Sequence, residues 1–327
     1  MSHSGRFARL MSPVYLVTAV AIWGMGFVTQ KQASAVPAIT MAAWRSAFAL
    51  VFVLAVVLVS GCFGKSGRRI VRPSRKGRPV PDITRAELIG GALSGVMVAV
   101  ATVLQQAGMN AGTDGGKAAF ITTLYVVVVP VLGFAFFGRR SPLHVWIGVL
   151  VSVVGFFLLC ITEDFTVVWS DMSVFGCSVL FALQILVIDR FAPQCDALRL
   201  SLVQFFVMFV ITAVTALIVD PFPTTALFVD HLPSVLYLGI GSSGMAFTCQ
   251  ILGQKHTPPA VASVILSMEA VVATIGAAIL LHETMSPREI IGCAIVLFAA
   301  LLSQLDVSSL WARLRRKPTD TPPTDTV

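Results

Sequence analysis

Two ionisable residues lie deep inside apolar stretches of this sequence. Arg45 interrupts the stretch 38–60, and Glu269 interrupts the stretch 259–281. At a helical rise of 1.5 Å per residue they lie roughly 12 Å and 15 Å from the stretch ends, near the middle of a ~30 Å apolar layer. A charge at that depth costs about 2.5–3.5 kcal/mol on insertion scales, so it normally faces a wet cavity or a partner. Arg45 can hold a carboxylate through two parallel hydrogen bonds. Glu269 can take up and release a proton, which makes it the predicted proton-coupling residue. A structural ion pair between the two is the alternative.

Five further residues have side chains that can bind an organic molecule. The rings of Trp23 and Tyr125 can stack on a substrate, and the amides of Gln106 and Gln250 can hydrogen-bond to it. Lys117, at the start of a stretch, can attract an anion. Each has a structural alternative, because rings also fill cores, amides satisfy backbone groups and lysines extend to water. The predicted substrate site consists of Trp23, Arg45, Gln106, Lys117, Tyr125, Gln250 and Glu269.

Motifs that support catalysis or a bound cofactor are absent from the sequence. It has no Gly-x-x-x-x-Gly-Lys-Ser/Thr loop for nucleotides and no His-Glu-x-x-His zinc motif. The six cysteines are scattered, without Cys-x-x-Cys spacing. We therefore predict no catalytic residue, no metal and no cofactor, and we expect energy to come from a gradient or another subunit.

The composition is that of a membrane protein. Hydrophobic residues make up 56% of the chain, charged residues 12%, and the mean hydropathy is +0.87, whereas soluble proteins carry about 25% charged residues. The net charge of +7 lies in short loops, which argues against nucleic-acid binding. Apolar stretches close to the ~20 residues of a spanning helix predict an all-α polytopic protein of ten transmembrane helices at 13–32, 38–60, 86–110, 116–137, 142–162, 170–188, 198–219, 232–253, 259–281 and 287–306.

The second half of these stretches repeats the first. At an offset of 144 residues, which is the separation of Tyr125 from Glu269, the aligned positions also include Gln106 with Gln250, Gly148 with Gly292 and Arg139 with Glu283. Weaker alignments are Trp23 with Phe181 and Arg45 with Gln204. Because each copy has an odd number of helices, the second must cross the bilayer upside down relative to the first, as is common in secondary transporters. We place the two five-helix repeats at 13–162 and 170–306.

Lysine and arginine predict the orientation. With the segment 1–12 inside, nineteen of the twenty-three lie on the cytoplasmic side, eight of them in the loop Lys65–Arg85, as the positive-inside rule requires. Both termini are then cytoplasmic, and the polar tail 307–327 is predicted to be disordered. The basic loop sets topology, with anionic lipid binding as the alternative. Ala33-Ser34-Ala35 resembles a signal-peptidase site, but the long run Val14–Gln30 favours a retained first helix.

In order and spacing, the motifs resemble those of the EamA-type branch of the drug/metabolite transporter superfamily. The matching residues of the second half are Gln250-Ile251-Leu252-Gly253-Gln254-Lys255, Ala260 to Glu269, Leu281-His282-Glu283-Thr284 and Gly292. Those of the first half are Ala21-Ile22-Trp23-Gly24, Arg45, Gly116-Lys117-Ala118-Ala119-Phe120, Leu124-Tyr125 and Pro130. The chain departs from the family pattern at Ala270, where proline often follows the glutamate, and at Arg139-Arg140, where an acidic residue is usual. Substrate identity therefore does not transfer.

The resemblance implies a transporter that spans residues 13–306. We expect a monomer or homodimer in the inner or plasma membrane that moves a small organic metabolite, such as an amino acid, nucleoside or amine. We expect efflux coupled to protons; substrate size and direction come from the resemblance alone. A lipid-carrier flippase of related fold is the alternative, and it needs a lateral opening for an acyl chain. A membrane-embedded enzyme needs catalytic polar groups at one interface, and the sequence has no such cluster.

Overall fold

The fold is built almost entirely of helices. A computed structural model describes residues 3–63, 71–73, 79–81, 83–113, 115–138, 140–160, 168–280 and 286–304. The first helices are α1 (His3–Gln32), α2 (Ala38–Phe63), α3 (Arg85–Asn110), α4 (Gly115–Thr123), α5 (Tyr125–Phe137), α6 (Leu143–Cys160) and α7 (Trp169–Phe191). The later ones are α8 (Ala197–Val219), α9 (Thr225–Asp230), α10 (Leu232–Leu236), α11 (Ala246–Gln254), α12 (Pro259–Leu266), α13 (Glu269–Leu280) and α14 (Pro287–Gln304). A 3₁₀ turn, Ala192–Gln194, follows α7, and two short antiparallel strands, β1 (Val71–Pro73) and β2 (Pro79–Pro81), lie between α2 and α3.

The helices are long and apolar enough for a membrane. Within the described residues, eight helical segments of 18 residues or more have the length and composition of membrane spans, and Leu143–Leu158 is a shorter apolar helix. Large apolar side chains such as Val51, Leu150 and Phe298 are exposed on the outside of the bundle. In a bilayer such apolar side chains face the lipid tails. The protein is therefore a polytopic helical membrane protein.

Carboxylates fix where helices begin and how they meet. Thr84 and Glu87 form a capping box at the start of α3, with Thr84 N donating to Glu87 Oε2 at 2.7 Å and Glu87 N donating to Thr84 Oγ1 at 3.2 Å. Glu87 Oε1 also accepts from the backbone N of Asp196 at 3.0 Å. Asp220, after α8, accepts from Thr40 N at 2.8 Å. These bonds set α8 beside α3 at one end and beside α2 at the other.

Two helices that the sequence predicts to be continuous are broken. The stretch 116–137 divides into α4 and α5 at Leu124, and 259–281 contains a break at Ser267 and Met268 between α12 and α13. At each break a backbone N bonds to the carbonyl three residues back, Leu124 to Ile121 at 3.3 Å and Met268 to Ile265 at 3.1 Å. This tighter turn leaves carbonyls to be satisfied by other groups.

A hydroxyl satisfies one carbonyl at each break. Thr123 Oγ1 donates to Phe120 O at 2.8 Å, and Ser267 Oγ donates to Val264 O at 2.8 Å. Thr123 and Ser267 are aligned with each other in the sequence repeat, and so are Leu124 and Met268. The offset found in the sequence therefore also relates the local geometry of the two breaks.

A third predicted helix, 232–253, is also irregular. After α9 and α10 the chain forms a nine-residue π-helical segment, Tyr237–Met245, before α11. Three glycines and two serines in nine residues give this segment a low helix propensity. A π-helix has a wider turn than an α-helix and is frequently found at functional sites.

Most other predicted helices agree with the observed bounds to within three residues. The first helix begins earlier, at His3 instead of residue 13. The pair Arg139 and Glu283, the tail 307–327, most of the loop Lys65–Arg85 and the predicted repeat ends at 162 and 306 lie outside the described residues.

Candidate functional site

A cavity lies between the helices at the depth of the two ionisable residues. It holds about 520 Å³ of space, its opening included, and is lined by residues of α1, α2, α3, α4, α5, α7, α11, α12, α13 and the π-helical segment. Five of the seven predicted substrate residues line it: Trp23, Arg45, Tyr125, Gln250 and Glu269.

Arg45 is held by two consecutive hydroxyls of the π-helical segment. Its Nε donates to Ser243 Oγ at 2.9 Å and its Nη2 donates to Ser242 Oγ at 3.2 Å. The side chain is 4% exposed. A guanidinium cannot be deprotonated in a protein, and hydroxyl acceptors leave its charge uncompensated. Arg45 is thus a fixed positive charge, with its geometry set, at the wall of the cavity.

Trp23 ties α1 to the same segment. Its Nε1 donates to Ser242 O at 2.8 Å, and Tyr237 OH donates to Ile22 O at 2.7 Å. The Trp23 ring meets Phe247 edge-on, with centroids 4.9 Å apart. Phe27, Phe181 and Phe247 also line the cavity. The wall beside Arg45 is therefore aromatic and suits an apolar or aromatic part of a ligand.

Glu269 and Tyr125 meet where the two broken helices resume. Tyr125 OH donates to Glu269 Oε1 at 3.2 Å, and both residues are buried, with 3% of Tyr125 and 5% of Glu269 exposed. Each is the first residue after its break, at the start of α5 or α13. The start of a helix favours negative charge, because its backbone N–H groups point toward it. The breaks thus place a carboxyl and a phenol opposite each other at the centre of the bundle.

The two ionisable residues share the cavity without pairing. Among the described residues, Arg45 has no carboxylate oxygen within ion-pair distance, and the one side-chain hydrogen bond of Glu269 is to Tyr125. The sequence alternative of a structural ion pair is therefore not the arrangement seen. Each charge remains available to a ligand or a proton.

Amides form a second polar wall that the sequence analysis largely missed. Gln250 Nε2 donates to Gln184 Oε1 at 3.0 Å, and Gln184 Nε2 donates back to Gln250 Oε1 at 3.3 Å. Gln184 Nε2 also donates to Ser94 Oγ at 3.3 Å, and Ser94 Oγ donates to Gln204 Oε1 at 2.6 Å. Polar residues inside apolar helices were the available signal for Gln184 and Ser94.

Two predicted residues lie away from the cavity. Gln106 Nε2 donates to Asn110 Oδ1 at 2.9 Å, while the neighbouring Gln105 lines the cavity and donates to Thr122 Oγ1 at 3.1 Å. Lys117 forms an ion pair with Asp171, which is 2% exposed. Lys117 therefore links α4 to α7 and is not part of the cavity wall.

The fold defines a multi-span membrane protein with a polar cavity between its helices. The chain belongs to the EamA-like transporter family, whose profile matches residues 10–161 and again 168–305. It is 26% identical over 219 residues to a protein of Archaeoglobus fulgidus called "Uncharacterized transporter", an alignment that covers 65% of this chain and 69% of that one. A solved structure titled "Crystal structure of protein" matches 93% of this chain and 98% of its own with a TM-score of 0.72 and 16% identity, which shows a common fold. The protein is a membrane transporter.

Proposed function

We propose that the protein is a secondary transporter that exports a small organic metabolite carrying an anionic group, and that Glu269 couples this export to protons. The substrate lies in the central cavity, with its anionic group at Arg45 and its apolar part against Trp23 and Phe247. The sequence has no Gly-x-x-x-x-Gly-Lys-Ser/Thr loop, which leaves a gradient or another subunit as the source of energy, and we propose that a proton gradient drives the cycle.

The buried and uncompensated charge of Arg45 is the main observation that supports this proposal. Burying an uncompensated charge is expensive, and such a charge in a membrane segment normally marks a substrate or ion pathway. The two serines satisfy donors of Arg45 without neutralising it. An anionic group arriving in the cavity supplies the missing negative charge through strong, charge-assisted hydrogen bonds.

Glu269 is the proton carrier in this proposal. Its carboxyl is buried beside the cavity and, among the described residues, has a single side-chain hydrogen bond, from Tyr125. A carboxyl without a cationic partner can exist in both protonation states as its surroundings change. Charged Glu269 can accept a hydrogen bond from a donor group of the substrate, whereas a proton on Glu269 occupies that acceptor. Substrate and proton therefore compete for Glu269, and this competition gives exchange of substrate for protons.

Two inverted five-helix halves, covering 13–162 and 170–306, supply the alternating motion. The helix breaks at Leu124 and Met268 and the pair Tyr125–Glu269 support this, because both relations fall at one offset of 144 residues. The positive-inside rule puts both termini in the cytoplasm. Reporter fusions after Asp306 test this: a cytoplasmic reporter is expected to be active there, and an active external reporter overturns the ten-helix topology.

Transport by purified protein in liposomes tests the function. Vesicles with an imposed pH gradient are offered labelled carboxylic acids, amino acids, nucleosides, sugars and amines. We expect gradient-driven accumulation of at least one substrate with an anionic group and none of the purely neutral or cationic compounds. Accumulation of only neutral or cationic compounds contradicts the role of Arg45, and accumulation that ignores the pH gradient contradicts proton coupling.

A further inference from the structure

Two glycines of α3 lie where this helix packs closely against α8. A Cβ atom on Gly91 would lie 2.6 Å from Val203 Cβ, and one on Gly95 would lie 2.9 Å from Val207 Cβ. The glycines are four positions apart, and so are the valines that they meet. This is the spacing at which an α-helix returns to the same face.

Glycines also mark the contact between the π-helical segment and α2, and here their spacing is different. A Cβ atom on Gly239 would lie 2.6 Å from Phe48 Cβ, and one on Gly244 would lie 2.6 Å from Phe52 Cδ1. The phenylalanines on α2 are four positions apart, but the glycines are five apart. The π-helical segment Tyr237–Met245 makes this possible, since its hydrogen bonds join residues five positions apart.

The alignment of the two halves shifts by one residue across this segment. Gly95 and Gly239 occupy matching places, each facing a backbone carbonyl of the neighbouring helix, Gln204 O at 2.5 Å and Arg45 O at 3.1 Å. Their separation in the chain equals that of Tyr125 and Glu269. Beyond the segment, Gly108 faces Ser170 O at 2.9 Å and Gly253 faces Ser12 O at 2.9 Å. The separation of Gly108 from Gly253 in the chain is one residue longer than that of Gly95 from Gly239.

Two matching hydrogen bonds, one in each half, show the same longer separation. Asn110 Nδ2 donates to Val36 O at 3.1 Å, and Lys255 Nζ donates to Cys195 O at 2.7 Å. The two donors are separated in the chain by the same distance as Gly108 and Gly253. The π-helical segment therefore holds one residue more than the corresponding part of α3. It also makes Gln250 the counterpart of Gln105, and both line the cavity.

The extra residue lies where Arg45 is bound. Four residues separate Gly239 from Gly244, and they include Ser242 and Ser243. Three apolar residues, Val96, Met97 and Val98, separate Gly95 from Ala99, the counterpart of Gly244. One residue more in a helix rotates the remainder of that helix by about 100°. Only the lengthened segment brings two consecutive hydroxyls to one guanidinium while keeping both glycines against α2.

We infer that Ser242 and Ser243, delivered by this one-residue insertion, are positioning residues that give the cavity its selectivity for an anionic group. They fix the guanidinium through Nε and Nη2, and neither contacts Nη1, which is thereby left to the ligand. The first half has no equivalent, because the counterpart of Arg45 is the neutral Gln204, bonded to Ser94. The substrate is therefore recognised through one anionic group on the α2 side. This inference rests on the proposed function and deepens it.

Two probes of equal shape separate charge recognition from binding in general. Phenylacetate and phenylacetamide both have a ring for the aromatic wall, and only the first is an anion. Binding of labelled phenylacetate to the purified protein, with phenylacetamide as competitor, gives the ratio of the two Kd values. The wild-type protein is expected to favour phenylacetate by about tenfold or more, the range for a hydrogen bond to a charged group.

Three variants test the serines and the insertion. Deletion of Gly241 leaves three residues between the glycines, as in α3, and the double change Ser242→Ala with Ser243→Ala keeps the segment length but removes both hydroxyls. Both are expected to lower the Kd ratio by about fivefold or more. Ser243→Thr keeps the hydroxyl and is expected to keep the ratio within about twofold. Size-exclusion chromatography checks folding, and the double-alanine protein decides the matter where the deletion does not fold.

The outcomes distinguish this inference from the proposed function. A Kd ratio that falls in the double-alanine protein and persists with Ser243→Thr supports the positioning role. A wild-type ratio well above one that the double-alanine protein retains overturns it, while anion binding by Arg45 stands. A wild-type ratio near one overturns both the inference and the anionic site. Absence of any transport in the liposome screen rejects the proposed function independently of these ratios.

Discussion

The two broken helices have the same backbone geometry at the break, but different side chains follow it. At both breaks a hydroxyl, from Thr123 or Ser267, bonds at 2.8 Å to the carbonyl three residues back. The next helix then starts with Tyr125 in the first half and with Glu269 in the second. The shared backbone geometry makes the break a feature of the fold in both halves. A titratable carboxyl is present in only one of them, and it is the residue that we propose as the proton carrier.

The helices beside the cavity show the same division. Arg45 and Gln204 occupy matching places, but the first is a cation held by two serines and the second is a neutral amide held by Ser94. Ser242 and Ser243 lie in the π-helical segment, which holds one residue more than the corresponding part of α3. The proposed site is therefore asymmetric, with anion recognition proposed at α2 and proton binding proposed at α13.

The largest effect is expected when the carboxyl that distinguishes the two breaks is removed. Glu269→Gln keeps shape and hydrogen-bonding capacity but cannot exchange a proton. Accumulation of substrate against a gradient is expected to be lost, because no proton is exchanged at residue 269, while counterflow of labelled substrate continues. Tyr125→Phe is the matched change in the other break, and it is expected to retain accumulation. Equal loss in both variants means that the break, not the carboxyl, is what transport needs.

A change at Arg45 tests the second asymmetry. Arg45→Lys keeps the charge but cannot bond to both serines and a ligand in the planar geometry of a guanidinium. The KM for an anionic substrate is expected to rise about tenfold or more, with normal insertion measured by membrane-fraction yield. Gln204→Met, at the matching place, is expected to leave the KM nearly unchanged, since Gln204 is not among the residues that line the cavity. Unchanged affinity in Arg45→Lys assigns Arg45 a structural role.

Trp23 is expected to contribute less. Trp23→Phe keeps an aromatic ring against Phe247 but removes the donor to Ser242 O, so the π-helical segment is held less firmly. The KM is expected to rise by about fivefold, the range of one neutral hydrogen bond. Trp44→Phe is the control, because Trp44 packs against Phe228 with centroids 5.0 Å apart and lies outside the cavity lining. A similar KM in both variants contradicts a role for Trp23 in the site.

The smallest expected effects test what the halves share. Thr123→Val and Ser267→Ala each remove the hydroxyl that satisfies a carbonyl at a break. Each is expected to cost about 0.6 kcal/mol of stability, the average for polar contacts within membrane bundles, measured as a similar lowering of the Tm in detergent. A large loss in one variant and none in the other contradicts the equivalence of the breaks.

The sequence predicted the helices and the ionisable centre because both have a strong physical signal. Long apolar runs give spans, and a lone Arg45 or Glu269 inside such a run is costly enough to imply a cavity. The breaks have no such signal: Pro130 lies six positions after Leu124, and no proline lies between Ala260 and Leu280. They depend on hydroxyls that bond to local carbonyls, which a serine or threonine in any helix can do.

The one-residue error in the amide position has a specific cause. The constant offset that relates Tyr125 to Glu269 aligns Gln250 with Gln106, whereas the structure matches Gln250 to Gln105 because the π-helical segment adds a residue. The signal was present as two matching glycine pairs, Gly95 with Gly108 and Gly239 with Gly253, whose separations differ by one residue. It becomes interpretable only once the packing partners of these glycines are known.

Proton movement measured during transport is the most direct test of proton coupling through Glu269. Liposomes that contain the protein and a trapped pH-sensitive dye are exposed to each anionic metabolite that the transport screen identifies. If Glu269 carries the coupled proton, we expect a change in internal pH with the wild-type protein and none with Glu269→Gln, although Glu269→Gln still exchanges labelled substrate. A wild-type protein that transports without moving protons, or a Glu269→Gln protein that moves them as the wild type does, contradicts it.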